Sequence, residues 1–132
     1  MPCHYKCIFG ISVLKEFESH SAQTVLGNHH SYLVLTGPSN RVYWFLFVSL
    51  DKTYYGDEIP RFTKIDEERL AKSHWNDKIT EAFTFGDLYT SRISSVLTPL
   101  PEYVFKKWYF RRIITIGDSV HKVCCCFKVS TT

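Results

Sequence analysis

Phe110-Arg111-Arg112-Ile113-Ile114-Thr115-Ile116-Gly117-Asp118-Ser119-Val120-His121-Lys122 is the stretch on which the reading of this 132-residue chain turns. A β-branched apolar run feeds straight into Gly-Asp-Ser, and such a run predicts a buried strand over Arg112 to Ile116. Gly117 lets the backbone approach a ligand closely because it has no Cβ. Asp118 then places an acceptor-only carboxylate at the strand end, where α/β sheets bind their ligands. A carboxylate in that position suits the hydroxyls of a ribose or ribityl chain. An Asp-Ser turn or a helix N-cap accounts for the same residues without any ligand.

Working outward, Tyr5 to Val13 reads as a strand with Tyr5, Cys7 and Phe9 on one face. Lys15 to Gly27 is polar and reads as a loop. Ser31 to Leu35 and Arg41 to Leu50 read as two strands of a hairpin, joined by the turn Gly37-Pro38-Ser39-Asn40. The spacing predicts a helix over Thr63 to Asp77. Thr63 caps it, Asp66 completes a capping box, and Leu70, Ala71, His74 and Trp75 form its apolar face. A shorter helix is expected over Lys78 to Phe83, and further strands over Ile93 to Leu97 and Glu102 to Trp108. Hairpins with one or two covering helices describe an α+β layer built on a mainly antiparallel sheet.

Composition bounds the answer. A hydrophobic content of 45% with 16% aromatic residues belongs to a packed chain, not a disordered one. The longest apolar run, Val42 to Val48, is too short to span a bilayer as a helix, and no charged-then-apolar segment marks a secretory leader, so a cytoplasmic location is expected. A net charge of +3 does not by itself imply nucleic acid. Five cysteines, an odd count, argue against a disulfide framework. Neither Cys3/Cys7 nor the contiguous Cys124, Cys125 and Cys126 has zinc-ligand spacing, and no metal site is expected in the chain.

The remaining clusters each have an ordinary explanation. Tyr43 or Trp44 could line a pocket, but aromatics on a hairpin strand usually fill a core. His29-His30 could act as a relay or ligand pair, but reads first as a solvated loop tip. Asp57-Glu58, before Ile59-Pro60, reads as an exposed turn. Lys106-Lys107 and Arg111-Arg112 interleave with Tyr103, Phe105, Trp108, Tyr109 and Phe110. That is either a stacking surface for nucleic acid or strands with aromatics inside and basic residues outside. The rest of the chain has no accompanying basic field, so no nucleic-acid partner is expected.

Several ordered blocks change the weighting of the C-terminal motif. They are Tyr5-Lys6-Cys7-Ile8-Phe9-Gly10-Ile11-Ser12, Arg41-Val42-Tyr43-Trp44-Phe45, Ile59-Pro60-Arg61-Phe62-Thr63, Thr84-Phe85-Gly86-Asp87-Leu88, Leu97-Thr98-Pro99-Leu100-Pro101-Glu102 and Gly117-Asp118-Ser119-x-His121-Lys122. From about Tyr5 to Lys122 the chain resembles the FAD-dependent monooxygenases of the aromatic-hydroxylase type. Within these it is most similar to the fungal branch that oxidises meroterpenoid and indole-diterpene intermediates.

The resemblance implies residues 1–111 as the substrate-domain side and residues 112–122 as one returning flavin-domain strand with its Gly-Asp-Ser motif. Residues 123–132 form a tail outside the family pattern. It implies that Asp118 holds the ribityl chain of FAD while Gly117 permits close approach. It further implies NAD(P)H as reductant and a lipophilic small-molecule substrate oxidised by epoxidation or hydroxylation. The resemblance also implies relatives that associate with membranes through parts outside this sequence.

Departures from the family are specific. The six glycines stand at 10, 27, 37, 56, 86 and 117, so no Gly-x-Gly-x-x-Gly pyrophosphate cradle occurs in this sequence. Val120 stands where the family usually has Ala, and Arg111 where it often has Gly. The family's catalytic Tyr, in a Val-Tyr-Gly stretch, corresponds to Leu26 in Val25-Leu26-Gly27. The expectation is a segment truncated at both ends relative to the complete enzyme and inactive alone. The alternative is a non-catalytic remnant or a small basic-aromatic module that binds nucleic acid or a partner protein.

Overall fold

A computed structural model describes residues 1–17 and 20–122. Five strands form one antiparallel sheet: β1 (Pro2–Val13), β2 (Ala22–Leu26), β3 (His30–Thr36), β4 (Arg41–Tyr55) and β5 (Arg92–Pro101), in the order β2-β3-β4-β1-β5. Two helices, α1 (Lys64–Ser73) and α2 (Phe85–Thr90), lie between β4 and β5 in sequence and pack on one face of the sheet. This is the α+β layer expected from the pattern.

The β3–β4 hairpin forms at the anticipated turn. The Gly37 amide donates to the Arg41 carbonyl at 2.8 Å, and Ser39 and Asn40 take left-handed φ values of 60° and 57°. Helix α1 begins as anticipated: the Thr63 hydroxyl and the Asp66 carboxylate cap each other's backbone amides. Edge strand β5 carries Pro99 and Pro101, which an edge position tolerates because one side needs no ladder donor.

Four expectations fail, each for a local reason. The supposed loop Lys15–Gly27 contains edge strand β2. Its Ala-Gln-Thr-Val-Leu text looks polar, yet Gln23 and Val25 alternate inward with period two while their neighbours face out. The short helix over Lys78–Phe83 is instead a turn. The Thr80 hydroxyl accepts from the Ala82 and Phe83 amides, competing for the groups a helix would use. The helix starts later, at a second capping box of Thr84 with Asp87.

The strand over Glu102–Trp108 shrinks to β6 (Tyr103–Val104), paired with β9 (His121–Lys122). The C-terminal apolar run, expected as a buried strand, is exposed. Only Ile113–Ile114, here β8, pairs with β7 (Tyr109–Phe110), and Ile113, Ile114 and Ile116 are 65%, 74% and 77% exposed. The five-stranded sheet ends at Pro101, so a two-residue hairpin is all that pairs with this run among the described residues. The expected tail, residues 123–132, lies outside the described residues.

The core sits between the sheet and the helices. Ile8, Tyr32, Val34, Val42, Trp44, Leu46 and Leu97 from the sheet meet Ala71, Phe85, Leu88 and Tyr89 from the helices. One acid is buried with them: Glu67 of α1 receives the Lys64 ammonium at 2.9 Å and the Ser95 hydroxyl. No helix among the described residues is long and apolar enough to cross a membrane.

Candidate functional site

Residues directly opposite in an antiparallel ladder share a face, so the register sorts the sheet into two surfaces. Ile8, Trp44, Leu46, Val34 and Leu97 point toward the helices. The other surface carries Phe9 opposite Phe45 and Val96, Leu33 opposite Phe45, and Tyr43 opposite Ile11 and Leu35. These side chains are half-buried or exposed, in contrast to the sealed core face. Phe9 and Phe45 approach to 4.9 Å between ring centroids, and Phe45 stacks parallel to Phe47 at 5.7 Å. Aromatic rings in such a row offer an apolar platform to a lipophilic molecule.

The aromatic pair singled out in the sequence is therefore split. Trp44 is a core residue: it is fully buried, and its indole N–H donates to the Ser12 hydroxyl at 2.8 Å. Tyr43 lies on the open face. Leu26 lies there too. It pairs with Ser31 at the sheet edge and is 56% exposed, while its neighbour Val25 packs against the core. Sequence reading found Leu26 and Tyr43 separately; the register puts them on one surface. Phe9, Phe45 and Phe47 were missed as site residues, although their alternation with Ile8, Trp44 and Leu46 was the available signal.

Gly117 and Asp118 stand apart from this sheet. They open a single 3-10 turn, Gly117–Ser119, just before β9. Gly117 has φ +66°, a conformation that favours glycine, and nothing lies within 4 Å of where a Cβ would stand. The turn is pinned: the Tyr103 hydroxyl donates to the Asp118 carbonyl at 2.8 Å, the Val120 amide to the Gly117 carbonyl at 3.1 Å, and Val120 itself is buried. Asp118 remains exposed. The backbone is thus fixed and the carboxylate is presented outward, an arrangement that fits a polyhydroxyl ligand approaching from solvent. Arg111, at a position where the family often has Gly, has φ +54° at the tip of the β7–β8 hairpin.

Three further clusters resolve differently. His29 is exposed, but His30 turns inward to meet His74 and Asp77. The basic side chains near the C-terminus lie over exposed rings, Lys107 over Tyr109 and Phe110, and Arg111 over Phe110. A cleft of about 510 Å³ lined by Phe17, Gln23 and Phe83 includes none of the aromatic platform and neither Gly117 nor Asp118.

Comparison with known proteins sharpens this picture. Over 124 residues the chain is 37% identical to the FAD-dependent monooxygenase spyC of Aspergillus fumigatus, covering 93% of this chain and 26% of that protein. It is 38% identical over 124 residues to the FAD-dependent monooxygenase ptmM of Penicillium ochrochloron (93% of this chain, 29% of that one). It is 36% identical over 124 residues to the FAD-dependent monooxygenase asqG of Emericella nidulans (92% and 22%). The chain is a relative of the fungal FAD-dependent monooxygenases. It spans about a quarter of the length of these curated relatives. No protein-family model and no solved structure matches it.

Proposed function

We propose that this chain is the substrate-facing segment of a FAD-dependent monooxygenase that inserts one oxygen atom, by epoxidation or hydroxylation, into a lipophilic secondary-metabolite intermediate. The observation that carries the reading is the open aromatic face of the sheet. Phe9, Tyr43, Phe45 and Phe47 share it with Leu26, the position matched to the family's catalytic Tyr. A sheet packed on one side and aromatic on the other suits the substrate domain of the aromatic-hydroxylase fold.

FAD, when bound, supplies the oxygen chemistry, with NAD(P)H as reductant; the protein's part is to bind, orient and exclude water. Asp118 would accept hydrogen bonds from the ribityl hydroxyls, and Gly117, with open space at its α-carbon, would let the cofactor lie close. The aromatic platform would hold the substrate and keep water from it. Leu26 has no hydroxyl, so whatever the family tyrosine contributes to a substrate oxygen is absent here. The exposed Ile113, Ile114 and Ile116 support a boundary near residue 112, beyond which the chain contributes a strand to a flavin-domain sheet.

Grafting residues 5–122 into a full-length relative tests the proposal. The expected product is a flavin-loaded enzyme in which Asp118→Ala lowers FAD affinity at least tenfold, about 1.4 kcal/mol. Leu26→Tyr is expected to raise its oxygenation rate. A well-folded graft whose flavin content ignores Asp118→Ala would show that Gly117-Asp118-Ser119 is only a turn. Salt-dependent retention of the chain on nucleic acid would instead favour the binding-module alternative.

A further inference from the structure

Away from the aromatic face, on the helix side of the sheet, three side chains from distant parts of the sequence converge. His30 opens β3, His74 is the C-cap of α1 and Asp77 lies in the loop beyond. His74 Nδ1 is 2.8 Å and His30 Nε2 is 3.3 Å from the same carboxylate oxygen, Asp77 Oδ2, and all three atoms lie within 4.8 Å of one another. The imidazole rings are 4.7 Å apart. The side chains are only 21%, 16% and 32% exposed.

The chemistry around His30 is decisive. Its Nδ1 faces the Asn28 carbonyl at 3.0 Å and its Nε2 faces the Asp77 carboxylate, so both ring nitrogens look at acceptors. A neutral imidazole has one ring proton. If that proton satisfies the carbonyl, the Nε2 lone pair is aimed at an anion, and either a second ring proton or a bound cation lies between them. A ring N–H donated to a backbone carbonyl is also the usual support for a metal-binding histidine, because it fixes which nitrogen faces the ion. Gly27 leaves room for the ring, since a Cβ there would stand 2.3 Å from it. Asp77 has its own support, the Tyr32 hydroxyl donating to Oδ2 at 2.7 Å.

The geometry points to a binding site for one borderline divalent transition ion, with zinc as the best match. His30 Nε2, His74 Nδ1 and Asp77 are its ligands, and the fourth position is open to water. Two imidazoles and a carboxylate suit zinc. Tetrahedral ligands about 2.1 Å from the ion stand roughly 3.4 Å from one another. The His30–Asp77 pair is already at 3.3 Å, and the His74–Asp77 pair at 2.8 Å opens by about half an ångström. Bound there, the ion staples the end of α1 to the start of β3. The cysteine spacings from which no metal was expected do not bear on this site.

The full chain, stripped with chelator and titrated with ZnCl₂, tests the site. Thiols bind zinc too, so the quantity read is the difference between proteins. The His30→Ala/His74→Ala double variant is expected to bind one equivalent fewer than the wild type, and His29→Ala the same number. Co²⁺ in the wild-type site should give tetrahedral visible bands that the double variant loses. Long-range ¹H–¹⁵N spectra of the wild-type chain need no variant. On zinc addition, His30 Nε2 and His74 Nδ1 should move to metal-bound shifts while His30 Nδ1 stays protonated. Unmoved nitrogens under saturating zinc, or His30 protonated on both, would overturn the site and leave a hydrogen-bonded network alone.

Discussion

Gly10 lies opposite Trp44 across the β1–β4 ladder, and a Cβ on it would stand 2.0 Å from the indole. The glycine is there for space. It lets the largest core side chain lie across the neighbouring strand β1 and reach Ser12, whose hydroxyl accepts the indole N–H and donates in turn to the Leu88 carbonyl of α2. Sheet and helix layer are joined through that chain. Gly10→Ala forces the indole out of its well and is expected to cost about 2–3 kcal/mol or more. Ser12→Ala orphans a buried N–H and should cost about 1–3 kcal/mol. Denaturant unfolding followed by tryptophan fluorescence measures both.

Burial pushes the Cys7 thiol up to about 12, from an ordinary 9.0, with only a backbone hydrogen bond to Leu46 opposing it. Thiolate at neutral pH is therefore reduced roughly a thousandfold, a factor of ten per pKa unit. Native Cys7 should resist iodoacetamide at pH 7.5 and become labelled only on unfolding, as peptide mapping will show. The folded state holds the proton more tightly than the unfolded chain does. This contribution to stability is full below pH 9 and declines as pH rises from 9 toward 12.

Asp66 behaves in the opposite sense. The Thr63 amide, and then the Thr63 hydroxyl, donate to its carboxylate and hold it below the usual carboxylate range. The cap is therefore worth most above the unfolded carboxyl value, about 3.9. It is lost as pH falls through the lower folded value. Amide exchange in the first turn of α1, corrected for its intrinsic pH dependence, should accelerate in that acidic window. Asp66→Asn should flatten the dependence.

Much of the sheet was legible because β3 and β4 are continuous runs of aliphatic and aromatic residues joined by a turn rich in Gly, Pro, Ser and Asn. The Thr63–Asp66 box announced α1 for the same reason: the signal lies within four residues. What was missed depends on partners remote in sequence. β2 reads as a loop until β3 is placed beside it, and Ile113-Ile114-Thr115-Ile116 reads as buried although no described strand covers it. Leu26 and Phe45 are 19 positions apart, and only the β2–β3–β4 register puts them on one face. His30 and Asp77 carry no local spacing at all; a helix must end beside a strand before they meet.

Arg111 supplies the last prediction. Its φ of +54° lies in the left-handed region, at the first position of the two-residue loop joining β7 to β8. A loop of that length calls for positive φ, and glycine meets the demand without a Cβ clash. Arginine there costs on the order of 1 kcal/mol, offset in part by its guanidinium lying 5.3 Å over the Phe110 ring. Arg111→Gly relieves that strain but loses the ring contact, and the extra freedom of the unfolded glycine takes back about 0.4–1 kcal/mol, so the hairpin should tighten by no more than about 0.5 kcal/mol. The hairpin is exposed and outside the core, so the global unfolding midpoint should hardly move. The sensitive probe is the Thr115 amide, which donates to the Trp108 carbonyl at 2.9 Å across the same hairpin. Its exchange protection should rise by up to about twofold in Arg111→Gly and be unchanged in an Arg112→Gly control. Equal protection in Arg111→Gly and the wild type would mean that the ring contact fully compensates the backbone strain.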